Sequence, residues 1–410
     1  MNQEIINKAR EYFLEVVAIR RQLHQHPELS FCEKETAELI KRCLASKNIE
    51  FQSDIAGCGI VATIKGTKKT PHSTPKTSNS TIALRADMDA LPIQETNDIP
   101  YRSVNQGVMH ACGHDAHTAM LLGTALILND LRDSFDGTVK LIFQPGEEKL
   151  PGGASLMLDS GVLNDVKLIV GQHVTSDLRC GEVGFHAGPY MASCDEVNIL
   201  IKGVGGHGAK PAERNQTVVA AAKIVARLAE MYPENDENTY KSNGLLSFGE
   251  FLADGTYNVV PSEVSLKGTM RTFDENKRKL LKDNILKTVN EIVSEYGCTA
   301  EIFIESGYPS VKNDEKLTWF CKKTAEEYLC ETNVKSVPQL MTAEDFGWYS
   351  QKIPACFYRL GTANPDKGID SKQHTETFDI DENAMQLGIG LMSYITLKII
   401  ENEDLISTRN

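Results

Sequence analysis

Between residues 3 and 25 the apolar positions Ile5, Ile6, Ala9, Phe13, Val16, Val17 and Leu23 recur at helical spacing, roughly on one face. That pattern predicts an amphipathic helix, which Pro27 stops. A second helix is expected over about 33–46, and the continuous apolar run 59–64 reads as a strand. Residues 66–80 are polar and contain Pro71 and Pro75, the composition of an exposed loop. His72 falls in that loop and is not expected to be a ligand.

Three further apolar runs, 81–85, 137–143 and 167–171, have the length and composition of buried strands. Helical stretches at about 116–133 and 152–161 separate them. Strands alternating with helices indicate an α/β fold whose mixed sheet is largely parallel. Each run leads into chemistry: Asp87 and Asp89 after the first, Glu147 and Glu148 after the second, His173 after the third. Ligands of open α/β sheets bind beyond the carboxyl ends of the strands, so these groups are expected along one crevice.

The pattern changes from about residue 188. An alternating strand at 196–201, a Gly-rich turn, a helix at about 216–231, strands near 245–252 and 262–272 and a charged helix at about 275–296 form an α+β unit of ferredoxin-like order. Mixed strands and helices then return and supply His374. The simplest organisation is a catalytic domain in two parts, 1–187 and 301–410, with a smaller domain, 188–300, inserted between them.

Charge and composition narrow the function classes. Formal net charge is −13, which argues against a nucleic-acid or anionic-membrane partner. No basic region followed by an apolar run opens the chain, and no apolar stretch approaches the roughly 18–20 residues needed to span a bilayer. The ten cysteines are scattered without a C-x-x-C pair, which favours reduced thiols in the cytoplasm over a disulfide framework.

The window His110–His117 (HACGHDAH) packs three histidines, a cysteine and an aspartate into eight residues. A buried structural cysteine beside a satisfied core histidine is the competing reading for Cys112 and His114. The remaining inventory weighs against it, because Glu148 and His173 follow strands expected to end at the same edge. Thiolate, imidazole and carboxylate together suit zinc or a neighbouring divalent transition metal. Adjacent carboxylates at 147 and 148 can divide labour, one binding metal and the other accepting a proton from water.

Seven segments, in order along the chain, carry a resemblance. They are Arg20–Leu29 (RRQLHQHPEL), Leu84–Pro92 (LRADMDALP), Met109–His117 (MHACGHDAH), Phe143–Glu148 (FQPGEE), Gly205–Gly208 (GGHG), Tyr257–Pro261 (YNVVP) and His374–Asp379 (HTETFD). The chain resembles the M20 metallopeptidase family, in the branch of N-acyl-amino-acid amidohydrolases. That branch holds hippurate hydrolases, N-acetyl-amino-acid deacetylases and plant auxin-conjugate hydrolases. The resemblance implies a zinc-peptidase-like catalytic domain with an inserted lid and dimerisation domain. It also implies two divalent metal ions per subunit, of zinc, manganese, cobalt or nickel.

By the same resemblance Cys112 bridges the metals, Glu148 and His374 complete one, and His114 and His173 the other. Glu147 is the implied general base, and Asp87 the aspartate that orients a ligand. Arg85 stands where other branches have a histidine ligand, and His114 compensates for that departure. His207 is implied to reach across a homodimer and polarise the scissile carbonyl. Asn258 and Arg271 are implied to hold the substrate's carboxylate. His110 and His117 stay outside the ligand set, and His24, His26 and His186 read as structural.

The expected activity is cleavage of an N-acyl amino acid, or a similar small conjugate, by water activated at the metals. An M20-type dipeptidase or carboxypeptidase is the rival enzyme, and a non-catalytic small-molecule-binding protein is the rival outside enzymes.

Overall fold

Thr81–Asp87 and Ala355–Ala363 are buried at every position. A strand covered on both faces reads as a near-continuous apolar run rather than an alternating one, and these two flank Val166–Arg179 near the middle of an eight-stranded sheet. The computed structural model of the chain describes residues 2–68, 81–234 and 236–406. Most of the loop expected at 66–80, His72 included, therefore lies outside the described residues.

The sheet runs in the order Glu50–Ile55, Gly59–Lys65, Thr138–Gln144, Thr81–Asp87, Val166–Arg179, Ala355–Ala363, Val183–Phe185 and Val334–Ser336. Its four central strands pair in parallel, so their carboxyl ends point the same way. The helices Asn2–Gln25, His114–Asp130 and Asn383–Glu401 pack together in the core of this unit. Every residue of the second of these from His114 to Leu128 is buried, as expected of a helix surrounded by protein.

Two details differ from the sequence reading. The helix expected from about 116 opens at His114 itself. The strand expected to end at 171 continues to Arg179, so His173 sits inside it, opposite Arg359, rather than beyond its end. Pairing with Ala355–Ala363 extends this strand through the polar residues that a local apolar count reads as its end.

The chain folds into two units, the larger made of Met1–Gly188, Asn313–Pro338 and Trp348–Asn410. The smaller comprises Pro189–Lys312 and Gln339–Gly347. Its antiparallel sheet has the order Leu245–Leu252, Glu263–Arg271, Asp195–Lys202, Thr299–Ser306. Helices Thr217–Met231 and Glu275–Glu295 contribute Ala220, Ile224, Leu281, Ile285 and Val289 to a separate core with Val197, Ile199 and Ile201. The expected boundary at 300 cuts through Thr299–Ser306, which pairs residue by residue with Asp195–Lys202 and so belongs to the smaller unit. Among the described residues no helix is long and apolar enough to cross a membrane.

Candidate metal centre

The site of the larger unit is built around a tight backbone approach. Gly113 adopts φ +90°, and a Cβ there would lie 2.4 Å from Val174 Cγ2, so only glycine fits. This turn leaves Cys112 just before the helix and makes His114 its first residue. The backbone N–H of His374, itself at φ +63°, donates to Ala111 O at 2.8 Å and brings the far end of the chain beside Cys112.

Two groups of three side chains result, each with ligand atoms all within 4.8 Å of one another: Cys112, His114, His173 and Cys112, Glu148, His374. Cys112 belongs to both. Its Sγ lies 3.7 Å from His173 Nε2, and Glu148 Oε1 lies 3.3 Å from His374 Nε2 and 3.9 Å from His114 Nε2. All five ligands expected from the sequence therefore converge. Glu147, 7% exposed, forms a third close group with His114 and Glu148.

The donor set is arranged as a cation would need it. His114 Nδ1 bonds Asp89 Oδ1 at 3.2 Å, while its Nε2 has no hydrogen-bond partner among the described residues. His173 Nδ1 donates to Val174 O at 2.6 Å, which leaves Nε2 facing the sulfur. Glu148 Oε1 also makes no hydrogen bond, although His374 Nε2 is close by. Buried polar atoms without partners are costly, and side chains that converge without bonding one another fit a shared cation. Thiolate, imidazole and carboxylate are the donors that zinc-like divalent ions take.

Ionisation behaves accordingly. Burial, aided by the charge of Glu148, pushes the Cys112 thiol up to about 12, so without a cation the thiolate is disfavoured. Burial also drives the His173 imidazole well below its ordinary value, which keeps it neutral and able to coordinate. At His114 burial opposes a proton, but Asp87 and Cys112 hold one well above the usual histidine range. A divalent cation reverses such shifts by replacing the protons on sulfur and nitrogen.

The surrounding bonds revise the roles of nearby residues. Asp87 Oδ1 accepts from His117 Nδ1 at 2.6 Å, and Asp87 Oδ2 pairs with Arg85 at 2.5 Å. The carboxylate hydrogen-bonded to a candidate ligand is that of Asp89, which sequence reasoning left without a role. His117 Nε2 accepts from Val174 N at 2.8 Å, so both its ring nitrogens are engaged and it stays outside the ligand set. Gln373 was also missed: its Nε2 lies 3.9 Å from Cys112 Sγ and 3.2 Å from Val174 O. Only its place beside His374 hints at this in sequence.

In the smaller unit His207 and Asn258 lie together. Gly206–His207 pairs with Val259–Val260, and Gly208 N donates to Asn258 O at 2.6 Å. Both residues are exposed. Arg271 is elsewhere. Glu263 pairs with Lys202 at the end from which the His207 turn leaves, whereas Arg271 closes the opposite end of the same strand. Eight residues of strand separate these ends by roughly 26 Å, at about 3.3 Å per residue. Arg271 Nη1 is buried without a hydrogen-bond partner among the described residues.

A largely parallel sheet at whose edge a strand, a helix start and two loops gather sulfur, imidazole and carboxylate groups, in a chain interrupted by a small α+β unit, is the arrangement of a metallopeptidase-type hydrolase. Residues 83–398 match the profile of peptidase family M20/M25/M40, and the chain belongs to that family. It is 36% identical to an N-acetylcysteine deacetylase of Bacillus subtilis, over 96% of this chain and 98% of that one. It is 34% identical to thermostable carboxypeptidase 1 of Saccharolobus solfataricus, over 94% and 95%. Among solved structures, a dinuclear metal-binding M20 peptidase of Bacillus subtilis matches with TM-score 0.80 and 34% identity, over 96% of this chain and 99% of that one.

Proposed function

We propose that this enzyme hydrolyses the amide bond of N-acyl amino acids or similar small conjugates. One observation carries the reading: two three-residue ligand groups share Cys112, with the Glu147 carboxylate alongside. The likeness to a deacetylase over nearly the whole length of both chains supports the substrate class. Cys112, Glu148 and His374 would hold one divalent ion, and Cys112, His114 and His173 a second, of zinc, manganese, cobalt or nickel. Such ions, when bound, polarise a carbonyl and lower the pKa of water to roughly 7.

Glu147 takes the proton of the attacking water and returns it to the leaving amine. Asp89 holds the His114 ring through Nδ1 at 3.2 Å and so keeps Nε2 directed into the site. Asp87 acts one step further out, through His117 and Arg85. His207 donates to the carbonyl oxygen as negative charge develops there, a contribution of about 2.7–4 kcal/mol for a single donor. Arg271 and Asn258 hold the free carboxylate. Because His207 and Asn258 lie at the opposite end of the strand from Arg271, one chain does not bring all three to one small substrate. The reading therefore includes a homodimer in which His207 and Asn258 come from the partner subunit. Ten free cysteines support a reducing, cytoplasmic location.

A carboxypeptidase performs the same chemistry with a peptidyl group as the acyl part, so the acyl side decides between the readings. Metal-reconstituted enzyme assayed on N-acetyl and N-benzoyl amino acids and on dipeptides tests this. We expect kcat/KM at least tenfold higher for the N-acyl compounds. Equal or faster cleavage of dipeptides would replace the reading with the peptidase one.

A further inference from the structure

The carboxylate of Glu33 does something its place in the chain does not call for. Glu33 is the residue before the helix Lys34–Ser46, where an acidic side chain ordinarily bonds the free amides of the first turn. It makes no such bond. Those amides, Glu35 N and Thr36 N, are taken by Glu28 at 3.2 and 2.9 Å. Glu33 is fully buried and turns the other way, and its Oε1 accepts the backbone N–H of Gly146 at 2.7 Å.

Gly146 immediately precedes Glu147 and Glu148. It has φ +62°, and a Cβ on it would lie 2.4 Å from the ring of Phe31, two residues before Glu33. Its carbonyl accepts from Gly153 N at 2.8 Å. On the far side of the acidic pair, Glu148 N donates to Asp89 Oδ2 at 2.9 Å, and Ser30 Oγ donates to that same oxygen at 2.6 Å. The amides on either side of Glu147 are thus each fixed by a buried carboxylate. The segment Ser30–Glu33 supplies one of those carboxylates and braces the other.

We propose that Glu33 is a positioning residue for the hydrolysis, acting through the Gly146 amide to hold the turn that presents Glu147 and Glu148. The inference rests on the roles proposed above for those two carboxylates. A hydrogen bond from a backbone N–H to a buried side-chain oxygen is directional, and in a dry setting no water competes for it. Losing it leaves a buried donor unpaired and frees the turn to shift. A displacement near 1 Å at a catalytic group can cost on the order of 100-fold in rate.

The test compares Glu33→Leu, Glu33→Asp and Glu33→Gln in the full chain, with Glu148→Ala as calibrator. Metal per chain after dialysis against a fixed zinc concentration is read beside kcat and KM. Leu removes the acceptor, and Asp withdraws it by one methylene while keeping a carboxyl, so Asp serves if the Leu variant does not fold. Gln keeps an oxygen that accepts from Gly146. Burial, with the charge of Asp89, pushes the Glu33 carboxyl up to about 7, which makes a neutral amide a close stand-in.

We expect Leu and Asp to lower kcat 10- to 100-fold with KM within threefold, and to lose zinc toward one ion per chain. Gln should restore both within threefold. Wild-type zinc content and kcat in the Leu and Asp variants, with zinc lost in Glu148→Ala, would overturn the Glu33 inference and leave the site reading standing. A Gln variant as impaired as Leu would also overturn it, since the acceptor would not be what matters. Unchanged zinc in Glu148→Ala would overturn the site reading, and the Glu33 inference with it.

Discussion

Cys112 Sγ lies 3.7 Å from His173 Nε2, although 61 residues separate them in the chain. The same sulfur is within ligand range of Glu148 and His374. A side chain common to both groups should control both ions. Cys112→Ala is therefore expected to reduce bound metal from about two ions per chain to one or fewer, measured by elemental analysis after dialysis. Cys112→Asp, which offers a carboxylate from the same place, should retain more metal than Ala. An unchanged ratio in the Ala variant would remove Cys112 from the ligand set.

Glu147 shares the turn with Glu148 but not its proposed task. Glu147→Gln keeps shape while removing the base, so it should keep its metal and lose kcat by a factor on the order of 10²–10⁴. Steady-state kinetics beside metal analysis checks both halves. Near-wild-type turnover would rule Glu147 out as the base.

The proposed homodimer predicts function shared between copies, because the turn carrying His207 leaves one end of the four-stranded sheet and Arg271 closes the other. On that proposal, His207→Ala and Glu147→Gln proteins should each be nearly inactive alone. Mixing them should restore up to about a quarter of wild-type activity, because a random hybrid forms half the dimers and holds one intact site of two. Native mass spectrometry establishes that subunits have exchanged. Exchange without recovery would count against a site completed by the partner.

A pH dependence of stability follows from His24. Its Nδ1 lies 2.8 Å from Asp115 Oδ2 and its Nε2 3.1 Å from Glu95 Oε1, so both nitrogens face carboxylates. Burial opposes protonation, and the hydrogen bonds to Asp115 and Glu95 overcome it and raise the imidazole to about 8. A folded-state value above the unfolded one stabilises the fold below about pH 6.5, and that contribution is lost as pH rises through about 8. The shift corresponds to about 2 kcal/mol. Denaturant midpoints at pH 6 and pH 9 should show it, and His24→Gln should reduce the difference. A wild-type midpoint unchanged across that interval would contradict the role.

Much of this protein was legible before its structure. The strands Thr81–Asp87 and Thr138–Gln144 announce themselves as apolar runs, and the helix Asn2–Gln25 as a period of 3.6, because burial imposes those patterns locally. Cys112, His114, Glu148, His173 and His374 were legible for a different reason. Sulfur, imidazole and carboxylate donors gathered in a few short segments suit a cation, and the order of those segments matches a known family.

What the chain by itself determined, then, is which segments form elements and which residue types are present for chemistry. Tertiary structure alone decided who bonds whom. It gave the His114 ring to Asp89 rather than Asp87 and engaged both nitrogens of His117. It drew Thr299–Ser306 into the smaller unit and turned Glu33 toward Gly146. The physical reason is one of range. Periodicity records the environment of each residue along its own element, whereas a hydrogen bond between residues 33 and 146 depends on where two distant segments come to rest, and nothing in local spacing records that.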